Sequence, residues 1–260
     1  MDLTHGLSGL LVGVLVGLTG VGGGSLMAPI LILLLGVPAT TAVGTDLWFA
    51  AITKSVGSVV HHSLGEPDWQ VVRRLAYGSV PASIVTSLLL AQIDASQIKH
   101  GLIISTLGVL LIATAAATFG WGRVQLLVLR MEAPLAAAYR KRQPMLTVAA
   151  GAALGIMVTL TSIGAGALGA VMLMALYPMR MTARRLVGTD IVHAVPLTIV
   201  AGTGHLIMGN VDLHLLGSLL VGSIPGIIIG SLLATRLSAA FLRPVLAVVL
   251  AATGIKMIFS

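Results

Sequence analysis

Eight apolar stretches, at roughly 3–36, 38–63, 70–91, 97–119, 144–177, 183–208, 213–235 and 239–259, take up most of this 260-residue chain. A helix needs about 20 residues to cross the ~30 Å hydrocarbon layer of a bilayer. Six stretches have the length of a single crossing. The first and fifth, at roughly 33 residues each, are too long, and small residues interrupt both. Hydrophobic residues make up 57% of the chain and charged residues 9%, against about 45–50% and about 25% in an ordinary soluble domain. Such a chain cannot cover a soluble fold with polar groups, which excludes the soluble globular classes. The absence of cysteine excludes disulfides, thiolate metal sites and thiol redox chemistry. The segment from Met1 to Leu11 has no basic n-region and no small-residue cleavage site, so no removable signal peptide is expected there.

The two halves of the chain resemble each other. Val43-Gly44-Thr45-Asp46 returns as Val187-Gly188-Thr189-Asp190, and His61, Gly65 and Asp68 return as His205, Gly209 and Asp212. Gly78-Ser79-Val80-Pro81 returns as Gly222-Ser223-Ile224-Pro225, all at one offset of 144 without gaps. About 17 of the 47 positions from Val43 to Leu89 are identical at that offset, too many for chance even in apolar sequence. The long stretches also correspond, with Thr19 to Ser25 facing Thr161 to Ala167 at offset 142. The chain is a duplication.

Positive charge decides how the copies are oriented, because Lys and Arg accumulate on the cytoplasmic side of a membrane protein. If each long stretch is a hairpin returning to its own side, and the basic segment from Phe119 to Gln143 is cytoplasmic, 12 of the 15 basic residues lie inside. Lys99 and Lys256 lie outside, and Lys54 stays within the membrane. Each half then has five segments, an odd number, so the second half is inverted relative to the first. The expected fold is an all-α polytopic membrane protein of two inverted-topology repeats, each a broken helical hairpin plus three transmembrane helices. Residues 1–119 form the first membrane repeat, 120–143 a cytoplasmic basic linker and 144–260 the second membrane repeat. The formal charge of +7 is then mostly an orientation signal, and no nucleic-acid partner is expected. Trp69, Trp121, Tyr77, Tyr139 and Tyr177 fall near span ends, as interfacial aromatics do.

Inverted repeats with broken helices are a transporter signature, with the substrate near the midplane where the halves meet. In each hairpin a glycine-rich turn lies deep in the bilayer. The second arm begins near Ser25 in one repeat and Ala167 in the other. Its first N–H groups have no intrahelical partner and its positive dipole end points inward, which suits an anion. Gly22, Gly23 and Gly24, with Gly164 and Gly166 in the second copy, let backbone approach a ligand; the alternative is that they only allow close helix packing. Asp46 and Asp190 sit six to eight residues inside their spans, where a carboxylate is costly unless paired, hydrated or protonated. They are candidates for binding a coupling proton or ion, the alternative being that each pins the adjacent Gly-Thr turn. Thr45 and Thr189 either donate hydroxyls to the anion or bond back to their own helices.

Lys54 is the basic residue near the middle of a span. It lies eight positions after Asp46, only partly on the same face, so it either counters a carboxylate elsewhere or receives an anionic substrate; the second is preferred. His193, one turn after Asp190, is placed to share its proton. His61 and His205, close to span ends, suit a hydrated boundary. Pro81 and Pro225 are expected to kink their helices.

The Gly-Val-Gly-Gly-Gly-Ser turn at 20–25, the duplicated Val-Gly-Thr-Asp, Thr53-Lys54 and the paired Gly-Ser-x-Pro together resemble the TauE/SafE family, the sulfite exporter or toluene-sulfonate uptake permease group. The resemblance covers nearly the whole chain. It implies a multi-pass carrier of the bacterial or archaeal inner membrane for small sulfur-containing anions such as sulfite and sulfonates, without a cofactor. In the second repeat the turn reads Ser162-Ile163-Gly164-Ala165-Gly166-Ala167, so the serine and two glycines of the first are replaced.

The expected function is therefore secondary transport of a small sulfur-containing anion, ion- or proton-coupled, with alternating access by rocking one repeat against the other. Gly22, Gly23, Gly24, Ser25, Thr45, Lys54, Gly164, Gly166 and Thr189 would hold the substrate; Asp46, Asp190 and His193 would bind the coupling ion. The partners would be the anion and membrane lipid, with homo-oligomerisation left open. Two other classes fit fewer features: a membrane-embedded enzyme with Asp46 and Asp190 as an aspartyl pair, and a cation or metal carrier using Asp and His.

Overall fold

The computed structural model describes residues 3–19, 24–60, 67–93, 96–129, 133–164, 166–178, 180–234 and 239–259. They form ten helices: α1 (Leu3–Thr19), α2 (Gly24–Leu33), α3 (Ala39–Val60), α4 (Trp69–Gln92), α5 (Ser96–Leu129), α6 (Ala133–Thr161), α7 (Ala167–Leu176), α8 (Ala183–Ile207), α9 (Leu213–Ala234) and α10 (Ala239–Ile258). No strand occurs among the described residues. Each long apolar stretch is split into a longer and a shorter helix, α1 with α2 and α6 with α7. The basic segment between the halves is occupied by the end of α5 and the start of α6.

Among the described residues, five helical segments are long and apolar enough to cross a bilayer: Trp69–Gln92, Gly101–Gly120, Lys141–Thr161, Arg185–Ile207 and Leu213–Gly230. Their outer faces carry exposed aliphatic side chains, among them Leu88 and Leu89 on α4 and Ile228, Ile229 and Leu232 on α9. Hydrocarbon is the solvent that tolerates such a belt, because the helices satisfy their own backbone polar groups. The protein is a multi-pass membrane protein. By contrast, α3 has the length of a crossing but buries Thr45, Asp46, Thr53 and Lys54, a polar content that only a surrounding shell of other helices can accommodate.

Glycine contacts determine which helices become neighbours. A Cβ on Gly78 would stand 1.9 Å from the Val148 carbonyl oxygen, and one on its repeat equivalent Gly222 would stand 1.9 Å from that of Gly6. Gly9 and Gly13 press on the backbone of Leu219 and Ser223, and Gly151 and Gly155 press on Leu75 and Ser79. Small residues at such points let backbones meet where lipid offers no hydrophobic drive for association. Thus α1 lies on α9 and α6 lies on α4, in the same register. The glycines of Gly-Ser-x-Pro therefore serve close helix packing. Pro81 and Pro225 lie on outward-facing, exposed positions within α4 and α9.

These contacts correct one expectation. Both helix pairs join different repeats, as do α3 with α8 and α5 with α10. The two sequence halves are interlocked, so rocking one rigid half against the other would separate these close backbone contacts. At the crossing of α3 and α8, Gly44 stands against His205 and Gly202 against Trp48. The start of α3 therefore meets the end of α8, and the two equivalent helices run antiparallel.

Candidate functional site

The break after α6 is held open by specific bonds. The Ser162 N–H still reaches the Val158 carbonyl at 2.7 Å, but Ser162 itself turns to φ 59°, a left-handed conformation that a residue with a Cβ adopts at a cost. The Thr161 hydroxyl oxygen then accepts the Ile163 N–H at 3.1 Å. Gly164 follows with φ 126°, a conformation that excludes most side chains. The Gly169 and Ala170 amides of α7 donate to the carbonyls of Gly164 and Gly166, both at 2.8 Å. The Gly164 carbonyl thus occupies one of the free amides of the helix end that the sequence offers to an anion, while the Ala170–Gly166 bond is the first of the helix itself. The N-cap Gly166 provides no side chain there. In the first repeat, α2 starts at Gly24; Gly22, Gly23 and the side chain of Ser25 lie outside the described residues.

Helices α3 and α8 bring the charged candidates together. Lys54 Nζ lies 3.6 Å from Asp190 Oδ2, with side-chain exposures of 6% and 4%. Of the two readings of Lys54, the one in which it counters a carboxylate elsewhere describes this contact, and the carboxylate belongs to the other repeat. The separation is longer than a hydrogen bond, and Asp190 Oδ2 makes none. Asp46, also fully buried, faces the Ser162 hydroxyl and the Ala28 backbone and feels the field of Lys54. Neither neighbour completes a hydrogen bond, so both Asp46 oxygens are unsatisfied among the described residues. An aspartyl pair would need the two acids to share a hydrogen-bonded proton, and among the described residues Asp46 makes no such bond.

His193 is buried on α8, with its Nε2 2.9 Å from the Ser79 hydroxyl of α4. Ser79 was legible in the sequence only as part of a kink motif, although its recurrence as Ser223 marked it. One helical layer away, Ser83 shares a 2.8 Å hydrogen bond with Thr159. His205 is fully buried rather than at a hydrated boundary, and its Nε2–H donates to the Thr159 carbonyl at 2.9 Å. His61 lies outside the described residues.

The threonines of Val-Gly-Thr-Asp are engaged across the repeats. The Thr45 hydroxyl oxygen accepts the Asp212 N–H at 3.1 Å, and that of Thr189 accepts the Asp68 N–H at 3.0 Å. Asp68 and Asp212 in turn cap their helices: Asp68 Oδ1 accepts the Val71 N–H at 3.3 Å, and Asp212 Oδ1 accepts the His214 and Leu215 amides at 2.9 Å. Both positions recur at offset 144, a signal that could have shown the caps. The α4 end carries more charge: Arg180 Nε reaches Asp68 Oδ2 at 2.8 Å, and an Arg185 guanidinium nitrogen stands 3.6 Å from the same oxygen. Nearby, Tyr177 is buried instead of interfacial, its hydroxyl bonded to Thr147 at 2.7 Å and to Arg74 at 3.2 Å. Trp69 and Tyr77 are exposed, as interfacial aromatics should be.

A helical bundle with two interrupted hairpins, and an acid, a lysine and a second acid buried where equivalent helices cross, has the build of a membrane carrier. The comparisons with known proteins agree. Residues 6–257 match the family described as sulfite exporter TauE/SafE, and the chain belongs to that family. It is 39% identical over 220 residues to the "Probable membrane transporter protein YjnA" of Bacillus subtilis (strain 168), covering 83% of each chain. A "Probable membrane transporter protein" of Haemophilus influenzae (strain ATCC 51907 / DSM 11121 / KW20 / Rd) is 37% identical over 95 residues, 34% of this chain and 36% of that one. No solved structure matches. The protein is thus a membrane transporter of the TauE/SafE family, and not an enzyme.

Proposed function

We propose that this transporter is a secondary carrier of a small sulfur-containing anion, sulfite or a sulfonate, driven by a proton or other ion gradient. The observation that carries the reading is Lys54: a buried ammonium at the α3–α8 crossing, 3.6 Å from a carboxylate of the opposite repeat. A permanently useful counter-ion would sit closer and be hydrogen-bonded. One at 3.6 Å is readily replaced by a tetrahedral or trigonal oxyanion with three oxygens to offer. The description of the matching family as sulfite exporter supports the choice of anion.

Two inverted repeats would place the site between hairpin breaks arriving from opposite faces, and the antiparallel course of α3 and α8 supports that relation. Alternating access then moves the mixed pairs α1–α9 and α4–α6 around the α3–α8 crossing, because their glycine contacts make each pair a unit. Asp190, in contact with Lys54 across the repeats, binds the coupling ion, and residues 120–143 link the repeats on the cytoplasmic side.

Counterflow of radiolabelled sulfite, methanesulfonate and isethionate into proteoliposomes tests the reading. Saturable exchange of at least one is expected, and Lys54→Gln should weaken it. A cation carrier would instead gain cation flux from Lys54→Gln, and the absence of saturable anion flux across the panel would sink the proposal.

A further inference from the structure

The two repeat-related acids occupy different environments, and this difference suggests how transport is coupled. Asp190 touches Lys54, whereas the Asp46 carboxylate makes no hydrogen bond among the described residues and Lys54 acts on it through its field. Position 198, the equivalent of Lys54, is a threonine whose hydroxyl bonds back to the Ala194 carbonyl at 2.9 Å. The duplication therefore produced one ion pair, not two. We infer that Lys54 and Asp190 form an exchange switch: a substrate anion takes Lys54, a proton takes Asp190, and one proton accompanies each monovalent anion. This inference rests on the anion-carrier reading above and deepens it.

Charge balance leads to the stoichiometry. In the resting pair, the ammonium and the carboxylate cancel. When a sulfonate pairs with Lys54, the Lys54–Asp190 contact breaks and leaves a carboxylate alone in a low-dielectric interior, which strongly disfavours its charged form. A proton from the aqueous side, added to Asp190 Oδ2, removes that charge. The core again holds one ammonium, one anion and a neutral acid, so its net charge is the same before and after. Because anion and carboxylate compete for one ammonium, while ammonium and proton compete for one carboxylate, proton and anion binding are coupled by linkage.

The surroundings favour Asp190 as the group that takes this proton. From α3 it faces Lys54, with Asp46 further along the same helix. On α8 its neighbour is His193, also in the field of Lys54 and bonded through Nε2 to Ser79 of α4. A second positive charge on His193 would be opposed by that ammonium. From α7 the approach is backbone: a Cβ on Gly169 would stand 2.9 Å from Asp190 Oδ1 and 3.1 Å from the Gly164 carbonyl oxygen, with Leu154 of α6 behind at 3.9 Å. The contact that the anion breaks is the one between Lys54 and Asp190, so in this exchange the proton goes to Asp190 rather than to its symmetry mate Asp46.

The test uses purified full-length protein and methanesulfonate, whose charge does not titrate in the working range. In weakly buffered solution with a pH indicator, saturating anion should be accompanied by uptake of about one proton per bound anion. The apparent affinity should weaken about tenfold per pH unit once Asp190 is deprotonated, as linkage of one proton requires. In Asp190→Asn, binding should persist without proton uptake and without that slope; Asp46→Asn should keep both. Saturable binding by the unaltered protein without proton uptake overturns the switch while leaving the anion carrier standing, as does loss of the proton signal in Asp46→Asn alone. Absence of saturable binding of methanesulfonate, sulfite and isethionate alike overturns the carrier reading itself. If Asp190→Asn fails to fold, the measurements on the unaltered protein and on Asp46→Asn still decide the matter.

Discussion

The hydroxyl oxygen of Thr189 accepts the backbone N–H of Asp68 at 3.0 Å, and their repeat equivalents Thr45 and Asp212 repeat the bond at 3.1 Å on the other side of the molecule. Each links a helix of one repeat to the cap of a helix in the other. Losing the acceptor would leave the buried Asp68 amide unpaired, at about 1–3 kcal/mol, whereas Asp212 is exposed and its amide can turn to water. Thr189→Val should therefore lower the unfolding temperature in detergent more than Thr45→Val does, and Thr189→Ser should restore it. Should anion affinity fall while stability stays unchanged, these threonines are substrate ligands, as their place in the motif also allows.

Gly169 sits against Asp190 with no room for a methyl group. Gly169→Ala keeps the helix but pushes the carboxylate away from its place beside Lys54. Transport should fall on the order of tenfold, since small displacements of a positioned group are expensive, with little loss of folded protein. Unchanged counterflow would mean that the position of Asp190 does not matter to transport.

At Gly78 and Gly222 the obstacle is backbone, at 1.9 Å in both cases, and backbone cannot step aside. Gly78→Ala and Gly222→Ala should each abolish recovery of monodisperse protein. Gly101→Ala and Gly217→Ala, with nothing within 4 Å of the added carbon, serve as controls and should purify normally. Size-exclusion chromatography in detergent separates the two outcomes.

Ser79 is the partner of His193 at 2.9 Å. Ser79→Ala leaves a buried imidazole nitrogen unsatisfied, which should cost about 1–3 kcal/mol, and Ser79→Thr should recover part of it. If His193 only braces α8 against α4, the pH dependence of transport in Ser79→Ala will match that of the unaltered protein. A shifted pH profile at equal stability would give His193 a share in proton transfer.

Asp68 combines a helix cap with ion pairs to Arg180 and Arg185. Asp68→Asn keeps the cap and loses the charge; Asp68→Ala loses both. The alanine variant should be less stable than the asparagine variant by about 1 kcal/mol, the usual worth of a cap. The step from aspartate to asparagine should shrink in high salt, because both arginines are 41% exposed and therefore screened. Equal stability of the two variants would remove the cap from the account.

Hydropathy along the chain defined the membrane class, the order of the helices and the two interrupted stretches, because lipid imposes its demands on each segment separately. The offset of 144 identified the duplication and drew attention to Asp46, Asp190, Thr45 and Thr189, since burying polar groups in apolar sequence is costly enough to be visible. It could say which residues are equivalent, but not which ones touch. That Lys54 meets Asp190, that His193 meets Ser79, and that each threonine bonds to the opposite repeat follow from which helices cross. Those crossings depend on glycine contacts between segments about 70 to more than 200 residues apart. A buried polar group takes its partner from whichever helix lies beside it, so only the tertiary structure could distinguish the paired acid from the unpaired one.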